Sequence, residues 1–292
     1  MRVYKFKPFS RPVLTEWAIR EILEAKGKGL KSLKLSLDLG LSKSEVRIHG
    51  DRVAIGGIEI GLDELELALD LTKNGGIVEV TNDGIVKLAF YSGGNYYKLK
   101  AVAPLTAPTL EINGIHMHRI KGITPLEDSL LKVRTVRVRG GFRVLDVCTG
   151  LGYTAICSLK RGASEVVSIE KDINVLEIAR HNPWSKELSE VKILLGNATE
   201  LIKELEEERF EVVILDPPRY SMAPELYTSA FYADLFNVLR PGGRLFHYTG
   251  EPGSRRRGID LMRSVSKRLR TVGFKVKKLR DLKGVLAFKP RW

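Results

Sequence analysis

Residues 143–155 read Arg-Val-Leu-Asp-Val-Cys-Thr-Gly-Leu-Gly-Tyr-Thr-Ala, and no other segment constrains the fold as strongly. An apolar, mostly β-branched run, 144–147, ends in small residues and then enters a helical pattern. This predicts a strand, a glycine-rich turn and the start of a helix. The geometry suits nucleotide-like ligands: glycines let a ligand approach the backbone, and a helix start offers unpaired N–H groups. Gly150 and Gly152 alone are a weak signal, because a purely structural turn looks the same. Polar and glycine-rich groups at three later strand ends give them weight.

Before that turn the pattern is different. Residues 13–26 repeat apolar positions at helical spacing and close on Gly27 and Gly29, which predicts an amphipathic helix. From Leu30 the period changes to two, with Leu33, Leu35 and Leu37 alternating with polar residues. Residues 46–48 and 53–55 flank His49-Gly50-Asp51 as a hairpin, and 62–71 read as a short acidic helix. Residues 77–80 and 85–90 flank a turn containing Asp83-Gly84. Strands continue through 96–102 and 110–118. The expectation is a small α+β domain over 1–115 whose type declares no chemistry. Thr124 as N-cap, Pro125 at the first helical position and Glu127 at the third then open a helix.

The remainder, taken as one domain over 116–292, alternates strands with helices. Candidate strands lie at 166–170, 191–195, 212–216, 243–248, 274–279 and 285–288. Helical crossovers between strands imply a mainly parallel sheet covered on both faces. The last two strands flank Asp281-Leu282-Lys283-Gly284 with no room for a crossover, so they should form an antiparallel hairpin at the sheet's edge.

Charge narrows the partner. The 292 residues carry a formal net charge of +13, and fourteen Lys and Arg against two Asp fall in 255–292. A surface this basic favours an anionic partner, nucleic acid first. Glutamine is absent, Cys and Met are scarce, and Lys and Glu abound, a composition typical of hyperthermophile proteins. The two cysteines, Cys148 and Cys157, make neither a disulfide framework nor a metal cluster. His116 and His118 alternate on one strand face but lack further ligands, so no metal is expected. With no apolar span and no signal-like N-terminus, cytoplasmic residence is the expectation.

In open α/β sheets, ligands bind beyond the carboxyl ends of the strands. Four predicted strand ends carry polar or glycine-rich groups: Asp146 through Gly152, Glu170-Lys171, Gly196-Asn197-Ala198, and Asp216-Pro217-Pro218-Arg219-Tyr220. This set resembles the class I S-adenosylmethionine-dependent methyltransferases over roughly 120–292. A nicotinamide enzyme would need a longer Gly-x-Gly-x-x-Gly turn, which Thr154-Ala155 do not supply. Asn182-Pro183-Trp184-Ser185, the Asp216-Pro217-Pro218 run and Phe246-His247-Tyr248-Thr249-Gly250 look similar to an archaeal subgroup associated with N4-cytosine methylation of ribosomal RNA. The resemblance implies a Rossmann-like, seven-stranded methyltransferase sheet. It also implies S-adenosylmethionine held by Asp146, Cys148, Thr149, Gly150, Gly152, Tyr153, Thr154, Glu170, Lys171, Asn197, Ala198 and Asp216. Within that set, Glu170 is the candidate partner of the ribose hydroxyls and Asn197 of the adenine amino group.

Asp216-Pro217-Pro218 is the sharpest chemical signal. In the family it methylates amino nitrogens conjugated to a ring, whose delocalised lone pair is a poor nucleophile. The Asp216 carboxylate and the Pro217 carbonyl can each accept one amino hydrogen. That draws the nitrogen towards tetrahedral geometry and aims its lone pair at the methyl group. Pro217 has no N–H of its own, and the paired rings stiffen the loop. The family's fourth position is usually aromatic. Here it is Arg219, whose guanidinium can stack on a base, followed by Tyr220.

Carbon-5 pyrimidine methylation needs a cysteine nucleophile near these later motifs, and none lies beyond Cys157. His247 and Tyr248 end a strand on the same rim and are candidate substrate contacts, with a core histidine an equal reading of His247. Arg255, Arg256 and Arg257 precede a helix with Arg263, Lys267 and Arg270 on one face, which suits RNA phosphate contacts. The expected function is methyl transfer to an exocyclic amino nitrogen of RNA, cytosine N4 of ribosomal RNA foremost. The alternatives are aminopropyl transfer to a polyamine and a non-catalytic RNA-binding assembly factor.

Overall fold

The computed structural model describes residues 1–250 and 260–291. Two compact units divide the chain: residues 7–126 with 174–186, and residues 1–6 with 127–173 and 187–292. The division falls at 126 rather than 115 because the strand pair ending at His116 still belongs to a sheet of the first unit.

The chain opens with β1 (Val3–Tyr4) and then builds the hairpin unit. Its elements are β2 (Val13–Thr15), α1 (Glu16–Gly27), β3 (Ser32–Leu35), β4 (Ser44–His49), β5 (Arg52–Ile55), β6 (Ile58–Gly61) and α2 (Leu62–Thr72). After them come β7 (Ile77–Thr81), β8 (Gly84–Lys87), β9 (Ala89–Ser92), β10 (Asn95–Lys100), β11 (Thr109–Ile112) and β12 (Ile115–His116). Three antiparallel sheets result, ordered β3-β4-β5-β6, β2-β7-β8 and β12-β11-β10-β9. The first two sheets and the helices α1 and α2 share a core that includes Leu14, Ile19, Ile22, Val46, Val53, Ile55 and Leu65. Fully burying each such side chain contributes about 1.5–3 kcal/mol.

One expectation fails here. Val13-Leu14-Thr15 is a strand paired with Ile77 to Glu79, and the helix begins only at Glu16. All three residues are buried, so the period-two signal of a half-exposed strand is lost and β-branched Val13 and Thr15 decide the conformation.

The other unit contains α3 (Pro125–Thr135, whose first two residues belong to the hairpin unit), β13 (Arg143–Val147), α4 (Tyr153–Lys160), β14 (Glu165–Glu170), α5 (Ile173–Ala179, mostly in the hairpin unit), β15 (Lys192–Leu195) and α6 (Ala198–Leu201). It continues with β16 (Phe210–Leu215), α7 (Ser229–Val238), β17 (Leu239–Tyr248), α8 (Leu261–Val272), β18 (Lys275–Leu279) and β19 (Gly284–Phe288). The sheet order is β1-β15-β14-β13-β16-β17-β19-β18. β15, β14, β13, β16 and β17 run parallel, and β17-β19-β18 are antiparallel. This is the Rossmann-like sheet expected, with the terminal hairpin at one edge. It has eight strands, not seven, because Val3 and Tyr4 pair with Leu194 and Ile193 at the other edge. A two-residue strand has too little pattern to be read in advance.

The order of connections reverses between β13 and β16. Ligands of such sheets bind at this switch point, beyond the carboxyl ends of the strands. Among the described residues, no helix is long and apolar enough to cross a membrane, and no three His, Cys, Asp or Glu are grouped to hold a metal ion.

Candidate active site

Beyond β13 the backbone turns sharply. Cys148, Gly150 and Gly152 have φ of 72°, 55° and 79°. The turn is tied down by the N–H groups of Cys148 and Thr149, which both donate to the Ile169 carbonyl at 3.0 and 3.1 Å. The two glycines answer different needs. A Cβ on Gly152 would collide with the Leu188 side chain, so close packing requires this glycine. A Cβ on Gly150 would meet nothing within 4 Å among the described residues. Gly150 therefore leaves open the space that a ligand lying on the backbone needs.

Asp146 is turned into the protein. It is fully buried, with Oδ1 accepting from Thr154 Oγ1 at 2.6 Å and Oδ2 from Ser168 Oγ at 2.7 Å. Thr149 Oγ1 lies 2.6 Å from Ser168 Oγ and completes the network. Burial pushes the Asp146 carboxyl up to about 7, against the two hydroxyl bonds that lower it. Its carboxylate braces the turn and reaches no open space. The side chains of Tyr153, Thr154 and Ala198 are likewise buried and pack within the protein.

Glu170 ends β14 and closes onto the turn. The Gly150 N–H donates to Oε2 at 3.0 Å, and the Lys171 and Asp172 N–H groups donate to Oε1 at 3.0 and 3.1 Å. Burial raises its pKa against these backbone donors. A carboxylate has about four lone-pair sites, so capacity for a further donor remains. Asn197 is placed otherwise than expected. Its Oδ1 accepts from the Thr199 N–H at 3.1 Å and Oγ1 at 3.0 Å, capping α6, so that oxygen is already spent locally. Lys171 is exposed, its Nζ 3.7 Å from Glu225. Burial, with Glu170 next in effect, raises the Cys148 thiol well above its ordinary range.

The Asp216 loop lies beyond β16, held by the Asp216 N–H donating to the Val147 carbonyl at 3.2 Å. Asp216 Oδ2 lies 2.7 Å from Lys132 Nζ, which also lies 2.7 Å from Asp128 Oδ2, one turn earlier on α3. The ammonium packs 4.5 Å from the Tyr248 ring centroid. Burial alone would lower the Lys132 pKa, but the Asp216 and Asp128 carboxylates outweigh it and hold the pKa above the ordinary value. Among the described residues, no protein donor reaches Asp216 Oδ1 or the Pro217 carbonyl oxygen.

Tyr227 supports the same loop. Its hydroxyl donates to the Pro218 carbonyl at 2.9 Å, and its ring meets Tyr220 edge-on at 5.2 Å. Arg219 is exposed and Tyr220 is 45% exposed, so both remain available to a planar ligand. Of the two readings of His247, the structure has the core one and not the substrate contact: Nε2 lies 3.0 Å from the Tyr232 hydroxyl, and burial pushes its pKa down to about 3. It does not line open space. Tyr248 is half-buried against Lys132. Arg255, Arg256 and Arg257 lie outside the described residues. On α8, Val265 and Leu269 are buried while Arg263, Lys267 and Arg270 are exposed.

A protein of Methanocaldococcus jannaschii, described as "Uncharacterized protein MJ1233", is 45% identical over 282 residues, 95% of this chain and 96% of that protein. The chain belongs to the family of that archaeal protein. A family model described as conserved hypothetical protein 95 matches residues 131–237, the part that carries the Asp216 loop and the glycine turn. Ribosomal RNA large subunit methyltransferase I of Aeromonas hydrophila is 34% identical over 119 residues, 37% of this chain and 30% of that enzyme. The spermidine synthase of Thermotoga maritima superposes with a TM-score of 0.52 at 16% identity, covering 70% of this chain and 72% of the synthase. At that identity the likeness is one of fold alone.

Proposed function

We propose that the chain is an S-adenosylmethionine-dependent methyltransferase that acts on an exocyclic amino nitrogen of RNA, with cytosine N4 of ribosomal RNA the favoured acceptor. The observation that carries this reading is the pair of unspent acceptors at the switch point, Asp216 Oδ1 and the Pro217 carbonyl. The partial match to a ribosomal RNA methyltransferase supports it.

The open space at Gly150 and the remaining lone pairs of Glu170 fit S-adenosylmethionine. In this reading Gly150 admits the ligand to the backbone, Gly152 lets the turn pack on Leu188, and Glu170 takes the ribose hydroxyls. When bound, S-adenosylmethionine supplies an electrophilic methyl group. The chain's own part is orientation. Lys132 pins one Asp216 oxygen, so the carboxylate cannot rotate and Oδ1 stays presented. Two acceptors on two amino hydrogens hold the nitrogen with its lone pair free of the ring. Arg219 and Tyr220 are the candidates to stack on the base. The hairpin unit is proposed to assist in holding RNA. Its Tyr91 is 80% exposed with the Tyr96 ring 4.7 Å away, a surface on which a base can stack.

Aminopropyl transfer is disfavoured by one contact. A polyamine would place an ammonium between acidic groups, and Lys132 already fills that place between Asp128 and Asp216. The test is transfer of tritiated methyl groups to total RNA, then mass spectrometry of the nucleosides. Label in an amino-methylated nucleoside is expected. Label only in protein, or no transfer by a chain that binds the methyl donor, would overturn the proposal.

A further inference from the structure

The amino ends of the same strands, opposite the Asp216 rim, hold a second feature. A cleft of about 230 Å³ is lined by Arg139, Arg240, Arg244, Arg291, Phe142 and Glu211, together with the irregular Pro241-Gly242-Gly243 stretch of β17. Four guanidinium groups face one carboxylate. That carboxylate is already engaged: Glu211 Oε1 lies 2.6 Å from Arg240 Nη1, and Oε2 accepts the Arg143 N–H at 2.6 Å. Arg244 donates to the Val136 carbonyl at 3.0 Å, and Arg139 stacks 4.9 Å from the Phe142 ring centroid. Among the described residues, neither Arg139 nor Arg291 has a carboxylate within ion-pair distance.

The fold builds this arrangement. Gly242 has φ of 79°, and a Cβ there would lie 2.7 Å from Arg291 Nε. A side chain at 242 would push the Arg291 side chain from its present path and strain the left-handed backbone. Burial, and then the neighbouring charges of Arg137, Arg139 and Arg291, depress the Arg244 pKa. Like charges gathered in a concave surface, with one shared counter-charge, leave a strong positive potential there. Planar guanidinium forks match phosphate oxygens in pairs.

We infer that this arginine-lined cleft seats the phosphodiester backbone of a folded RNA substrate, away from the nucleotide being modified. The inference rests on the RNA-methyltransferase reading above. Strand β13 spans five residues, about 16 Å at ~3.3 Å per residue. A single nucleotide at Asp216 cannot reach across that depth, whereas a folded RNA can. The cleft therefore confers preference for structured RNA over short oligonucleotides and adds nothing to the chemistry at the amino nitrogen.

The test compares the parent with Arg139→Glu/Arg291→Glu and the milder Arg139→Ala/Arg291→Ala. Both positions are exposed, and folding is checked by melting temperature. Binding of a folded ribosomal RNA fragment is monitored by fluorescence anisotropy over a salt series, and methyl transfer is measured on that fragment and on a pentanucleotide. Charge reversal should weaken folded-RNA binding at least tenfold. The slope of log affinity against log salt should shrink by about 1.5–2, as for two lost phosphate contacts. KM for the fragment should rise while kcat, pentanucleotide transfer and methyl-donor affinity stay unchanged. Parent and variants binding the fragment with equal affinity and slope would overturn this inference alone. A parent that binds no RNA, or binds only inorganic tripolyphosphate in this cleft, would overturn it together with the RNA reading.

Discussion

Lys132 Nζ lies 2.7 Å from Asp216 Oδ2, and the lysine side chain is only 3% exposed. A buried ammonium is thus the fixed support of the carboxylate that the proposed chemistry uses. Removing it should do two separable things. Lys132→Met leaves Asp128 and Asp216 facing each other without their cation. Loss of one partner from a buried ion pair typically costs about 3–5 kcal/mol, which urea denaturation would register. Lys132→Met/Asp128→Asn should recover a good part of that stability, because the lone buried charge is gone. It should not recover methyl transfer, since Asp216 still lacks its anchor. Recovery of both together would show that Lys132 is structural only.

The two glycines of the turn should respond differently. Gly152→Ala meets the Leu188 side chain and should destabilise the fold by about 2–4 kcal/mol. Gly150→Ala meets open space and should cost only the left-handed backbone penalty, about 1–2 kcal/mol. Its main effect should be on methyl-donor binding, weakened at least tenfold by calorimetry.

Tyr227→Phe removes the hydroxyl that holds the Pro218 carbonyl. A net loss of about 1 kcal/mol in stability is expected. In single-turnover assays, transfer should slow about tenfold with little change in methyl-donor affinity, because the loop loses its orientation rather than its contacts.

Asp146 sets a pH dependence. Its folded-state pKa of about 7 lies above the ordinary 3.8, so the folded protein binds this proton more tightly than the unfolded chain. The corresponding stability is complete below about pH 4 and is lost as pH rises through 7. At one pKa unit per ~1.4 kcal/mol, the loss is on the order of 4 to 5 kcal/mol. Asp146→Asn should flatten this part of the stability curve in melts taken from pH 4 to pH 8. A parallel fall in parent and variant would reject the assignment.

Much of this architecture is legible in the chain alone. The β13 turn, the strand–helix alternation and the closing hairpin come from periodicity and turn residues, because each is set by neighbours in sequence. Asp216-Pro217-Pro218 is legible because three adjacent residues carry it. Sequence patterns miss Lys132, whose partner Asp216 is 84 positions away. A signal does exist. Asp128, Ser129 and Lys132 are buried on α3 along with Val133, and charged residues on a core-facing stripe need partners. His247 illustrates an ambiguity that sequence leaves open. A polar residue at a strand end looks like a ligand contact, but strand alternation turns this one into the core, where the Tyr232 hydroxyl meets Nε2 and Nδ1 finds no protein partner among the described residues. Asp146 resembles a ligand contact for a similar reason, although the nearby Thr154 and Ser168 hydroxyls consume it.

The pairing of Val3 with Leu194 has a consequence for biogenesis. The first strand of the sheet leaves the ribosome long before its neighbour is synthesised, and the whole hairpin unit emerges in between. That unit can fold during translation, since domains generally fold as units from the N-terminal side. The parallel sheet must stay open at this edge until β15 has been made, so its completion is a late event in synthesis.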